Sequence, residues 1–114
     1  MNIAALIERR QPGRKVQGIA AALLPYETDG RVAVESFQQH LIATHQAGLM
    51  NAVNMDTGYV NYLSEPEKRD VLRWTAEALG KNVAFVAGAY IENQSGDIIA
   101  LYRQQMDLIV QAGG

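Results

Sequence analysis

The 114-residue sequence contains no cysteine, which excludes disulfide staples, thiolate nucleophiles and cysteine-ligated metals. Neither sign of charge dominates: 10 basic against 12 acidic residues give a formal net charge of -2. Mixed along the chain, they leave no basic footprint for nucleic acid and no polybasic patch for an anionic membrane. No long hydrophobic run is present. The longest, Ile19 to Leu24, is far below the ~18 residues that point to a membrane span. In Met1 to Arg10 the basic residues follow the apolar ones, the reverse of a secretory signal, so a cytoplasmic protein is expected. What is abundant is apolar residues, 48% of the chain, enough for one domain with a buried core.

Those residues fall into a repeating order. Gly48, Gly80 and Gly113 each close a segment of helical periodicity, as expected of a glycine just past a helix end. Apolar, strand-like runs precede the helices at Val16 to Leu23, Leu49 to Met55 and Val83 to Gly88. Three consecutive βα units are the simplest reading, in residues 14–114, with a short outer helix in an extension over 1–13. The strands are apolar almost throughout, which predicts a parallel sheet covered on both faces.

The helix signals are specific. The first is expected from about Val34 to Ala47, with Val34, Phe37 and Leu41 near one face, after an Asp29-Gly30 turn. The second starts at Ser64-Glu65-Pro66-Glu67, a capping serine, an early proline and a glutamate that reaches back. Its stripe is Val71, Leu72, Thr75, Ala78 and Leu79, and the Glu65 to Asp70 charges read as a solvated first turn. The third is expected from about Asp97 to Gln111, with Ile98, Leu101, Tyr102, Ile109 and Val110 inward and Ser95 or Asp97 as cap. The N-terminal helix runs from Ile3 to Arg10 and stops at Pro12-Gly13.

In parallel βα architectures, binding groups collect in the loops after the strands. Here those are Pro25 to Arg31, Asp56 to Leu63 and Ala89 to Gly96. The second holds the chemistry: Asp56 as acid/base, the Thr57 hydroxyl, the Tyr59 phenol, and backbone N–H groups of a tight Thr57-Gly58 turn. Asp56, Thr57, Gly58 and Tyr59 form the candidate binding set, and Thr57 and Tyr59 are the catalytic candidates. The plainer alternative is a structural turn in which Asp56 satisfies its own backbone. His40 and His45 project about 140° apart on a helix and cannot share a metal ion. No phosphate-binding loop, dinucleotide glycine fingerprint or nucleophile elbow is present, and neither cofactor nor metal is expected. Trp74 and Tyr102 read as packing residues.

Taken together, Gly18 to Tyr26 with Asp29-Gly30, Phe37 to Gly48, Asp56-Thr57-Gly58-Tyr59 with Leu63-Ser64-Glu65-Pro66-Glu67-Lys68, and Val83 to Gly88 resemble one family. They look like the N-terminal part of the dihydrodipicolinate synthase / N-acetylneuraminate lyase family, over residues 16–113. The resemblance implies the first three βα units of a TIM (β/α)8 barrel, a truncated barrel. It also implies class I aldolase chemistry, with a lysine Schiff base to a 2-oxo acid such as pyruvate and a proton-relaying tyrosine. Thr57 and Gly58 match the family's second threonine and its glycine, where the substrate carboxylate is held. Asp56 stands in place of the first threonine and Tyr59 in place of a glutamate; Met55 and Leu24 also depart from the pattern. An aspartate there repels a carboxylate, so a different ligand is expected. The family's lysine and tyrosine lie on later strands. Lys15, Lys68 and Lys81 fall away from a barrel mouth, so these residues are expected to be inactive alone. Open strand edges predict a homo-oligomer. The alternative is a non-catalytic small-ligand-binding or oligomerisation module.

Overall fold

The computed structural model describes residues 2–10 and 12–114. Among the described residues four α-helices and three short strands alternate: α1 (Ile3–Glu8), β1 (Ile19–Ala21), α2 (Val34–Gln46), β2 (Met50–Val53), α3 (Glu65–Leu79), β3 (Val86–Ala87) and α4 (Ile98–Ala112). The strands pair in parallel in the order β1-β2-β3, with Ala21 beside Ala52 and Ala52 beside Val86. Neighbours in sequence are therefore neighbours in the sheet, each pair joined by a crossover helix, as parallel pairing requires. The strands are shorter than the apolar runs that announced them, because the outer ends of those runs have no partner strand.

Alternation along the strands sorts the sheet into two faces. One packs on the helices. Ala22, Leu24, Val53 and Phe85 join Phe37 and Leu41 of α2 and Val71 and Leu72 of α3 in a single buried cluster. Phe37 and Leu41, one turn apart, are at most 1% exposed, and their burial rather than a side-chain cap makes α2. Asn51 is buried on this face and donates from Nδ2 to the Leu41 carbonyl at 3.0 Å, tying β2 to α2.

The other face is open along β1, against the expectation of a sheet covered on both sides, while Ala52 of the central β2 is buried there. Ile19 and Leu23 are 55% and 58% exposed, and Ala21 between them is exposed too. The apolar run of β1 reflects a face that nothing in these residues covers.

The helix starts follow the sequence signals. Ser64 caps α3, its Oγ accepting from the Glu67 N–H while Ser64 N–H donates to Glu67 Oε1 at 3.1 Å. Asp97 caps α4 by accepting from the Ile99 N–H at 3.0 Å. α1 is shorter than expected, ends at Glu8 and buries none of its residues. α4 is rotated from the expected face. Gln105 is buried and Leu101, Leu108 and Ile109 are half-buried, whereas Ile98, Tyr102 and Val110 point to solvent. Trp74 is half-buried against the core, and both histidines are exposed.

Candidate functional site

All three post-strand segments meet at the C-terminal edge of the sheet. After β1, Tyr26 pairs with Val32 in a small antiparallel bridge. At the tip of that loop Asp29 Oδ1 accepts from the Arg31 N–H at 3.0 Å. After β2 the chain makes two 3-10 turns, Asp56–Gly58 and Val60–Tyr62. An open cleft of about 480 Å³ lies between the β2 and β3 segments. Its wall is Ala21 of β1, Asn54 to Thr57 and Val60 after β2, and Gly88 to Tyr90 after β3.

The four predicted site residues separate here. Asp56 and Thr57 line the cleft. Gly58 is buried behind them, where a Cβ would stand 3.4 Å from the Ala22 carbonyl oxygen. Tyr59 turns away to Tyr26, their ring centroids 6.1 Å apart. Tyr59 sits at φ +59°, a left-handed conformation that costs a bulky residue on the order of 1–3 kcal/mol. The turn pins it: the Tyr59 N–H donates to the Asp56 carbonyl at 3.0 Å, and the Tyr59 carbonyl accepts from the Tyr62 N–H at 2.9 Å.

The expected cradle of N–H groups does not form in full. Gly58 N–H donates to the Met55 carbonyl at 2.9 Å, so the N–H groups of Gly58 and Tyr59 both close the turn. Among the described residues Asp56 is the one charged side chain in the cleft wall, and its sign is negative. The rim carries a proton donor. Burial, then the Glu67 carboxylate, then Tyr59 hold the Tyr26 phenol above its ordinary range, so it stays protonated at neutral pH.

Three features of the site escaped the sequence reading. The peptides of Asn54 and Gly88 are in close apposition: a Cβ on Gly88 would lie 2.2 Å from the Asn54 carbonyl oxygen. Asn54 itself adopts φ +53°, which asparagine tolerates better than most residues. A glycine ending an apolar strand run is a recognised sign of such close approach.

The second feature is Lys68, which is buried rather than solvated. Its ammonium pairs with Glu65 and donates to the Tyr90 carbonyl at 3.1 Å. Glu65 also accepts from Gln94 and, at 2.8 Å, from Gln105 of α4. Lys68 thus stands directly behind the cleft wall, not away from the mouth. Its spacing to Val71, Leu72 and Thr75 was the available signal, since it continues their stripe by one turn. The third is Tyr90, whose ring lies 5.5 Å from the Lys68 ammonium while the residue lines the cleft. Among the described residues no group of three or more His, Asp or Glu side chains is placed to hold a metal ion.

This geometry has relatives. Over 88% of the chain it superposes on a protein described as a dihydrodipicolinate synthetase from Pseudomonas aeruginosa, with TM-score 0.72 and 20% identity. N-acetylneuraminate lyase from Mycoplasma synoviae matches over 84% with TM-score 0.64 and 19% identity. A dihydrodipicolinate synthase family protein from Coccidioides immitis matches over 86% with TM-score 0.71 and 14% identity. The fold is three βα units of a TIM barrel. The chain spans about a third of the length of these structures, between 32% and 33%. No protein-family model and no curated protein matches the sequence. Among the described residues no helix is long and apolar enough to cross a membrane.

Proposed function

We propose that residues 14–114 are the first three βα units of a class I aldolase-type lyase or synthase barrel, with residues 1–13 as an outer extension. The ligand on this reading is a small 2-oxo acid such as pyruvate, in a cytoplasmic setting. One observation supports it: the segments after β2 and β3, with Ala21 of β1, wall a single cleft at the C-terminal edge of a parallel sheet, where barrels of this kind bind.

Within the cleft the Thr57 hydroxyl is the donor for a ligand carboxylate. Asp56 opposes an anion, so the reading has its exposed side chain turned to solvent when the ligand enters. The Tyr26 and Tyr59 phenols pack on each other outside the cleft wall. The Schiff-base lysine belongs to a later strand. None of the three lysines here lies on a strand, and Lys68 is ion-paired with Glu65.

Borohydride trapping with pyruvate tests this. The expected outcome is one adduct on a polypeptide that completes the barrel and none on residues 1–114 alone. Absence of any adduct with pyruvate and other 2-oxo acids on the completed barrel overturns the reading.

The exposed apolar face at Ile19 and Leu23 favours a second reading, a non-catalytic small-ligand-binding or oligomerisation module. On that reading the chain self-associates and binds no keto acid.

A further inference from the structure

A buried ammonium with no role in the chemistry proposed above stands behind the cleft. Lys68 is 2% exposed, and desolvating its charge is costly unless the charge is fully partnered. Its partners come from two elements: the Glu65 carboxylate on α3, and the Tyr90 carbonyl at 3.1 Å in the loop after β3. The same carboxylate gathers Gln94 from that loop and Gln105 from α4. The backbone carbonyl of Lys68 accepts from Asn54 Nδ2 at 3.2 Å, which reaches the opposite wall of the cleft. The side-chain pair therefore joins the post-β3 wall to the start of α3, and the Lys68 main chain joins the Asn54 wall to it.

We propose that Lys68 and Glu65 are positioning residues that clamp the post-β3 loop and hold Tyr90 in the cleft wall. As a functional statement this rests on reading the cleft as the ligand site; the clamp itself does not depend on any reaction.

The clamp is pH-dependent. Burial raises the Glu65 pKa, but Lys68, Gln105 and Gln94 together outweigh it and leave the carboxyl below its ordinary range. The pair is intact above the unfolded value of about 4.3 and is lost as pH falls through the lower folded one. The other titratable group facing Lys68 is Tyr90; α4 presents the uncharged Gln105.

The test is amide hydrogen exchange on residues 1–114, corrected for intrinsic rates and read in segments 86–97 and 34–46. Lys68→Met and Glu65→Gln are expected to speed exchange in 86–97 by about tenfold with 34–46 unchanged, and Lys68→Arg to stay within about twofold of wild type. Wild-type rates in Lys68→Met overturn the proposal. The pH profile of the unsubstituted protein decides independently, even if a variant fails to fold. A step at a pH below the ordinary glutamate range in 86–97, ahead of any loss in 34–46, supports the clamp, and simultaneous loss in both segments overturns it. Borohydride labelling is a separate readout. No adduct on a polypeptide that completes the barrel, with a loosened loop in the variants, retires the aldolase reading and keeps the clamp; an adduct there with an unchanged loop does the reverse.

Discussion

At Gly88 the post-β3 segment passes so near Asn54 that no side chain fits between them. Added at Gly88, a Cβ would lie 2.2 Å from the Asn54 carbonyl oxygen and 3.4 Å from Met55 Sδ. The first neighbour is backbone, held where the Gly88 N–H donates to the Val53 carbonyl at 3.0 Å. Gly88→Ala must therefore push the β2 and β3 ends apart. A loss of about 3 kcal/mol is expected, read as a lower urea midpoint at unchanged slope, with a smaller cleft perturbation at Tyr90. A wild-type midpoint would show that the two peptides separate freely. Residue scale is also where the sequence was least legible. Asp56 and Thr57 line the cleft, but the sequence carries no sign that Gly58 supports them from behind or that Tyr59 faces Tyr26. Both follow from one left-handed residue, Tyr59 at φ +59°, which reverses the chain between two 3-10 turns.

The elements were more legible, because helix ends are local chemistry. The capping box at Ser64 and Glu67 needs only four consecutive residues, and it formed as expected. Ser64→Ala should cost about 1 kcal/mol, measurable by urea denaturation. Since α3 opens on the Glu65–Lys68 pair, that variant should also raise exchange in the 89–94 loop. α4 shows where local reasoning stops. It carries two apolar stripes, Leu101, Leu108 and Ile109 on one side and Ile98, Tyr102, Met106 and Val110 on the other. Periodicity alone cannot choose between them. Contact with Glu65 does: its carboxylate accepts from Gln105, which turns the stripe around Gln105 inward.

For the molecule as a whole, the radius of gyration of 17.2 Å exceeds the roughly 13 Å of a compact domain near this length. Part of the excess is α1, which buries nothing, and part is a sheet with one uncovered face. That face exposes Ile19 and Leu23, and the outer stripe of α4 separately exposes Ile98, Tyr102, Met106 and Val110. Apolar surface of this extent drives association. Light scattering on residues 1–114 after size exclusion should give a mass well above 12.5 kDa. A monomer at micromolar concentration would count against self-association and leave the open face to further βα units.

The order of elements, their type and the direction of the sheet were already present in the string of residues, because caps, turns and periodicity act over a few positions. Which face of α4 is buried, and that one face of β1 stays open, was not, since that depends on what arrives from far along the chain. Lys68 is the clearest case. In the string it is one charge among five in a helical turn; in the fold a carbonyl 22 residues away makes it the buried cation behind the cleft.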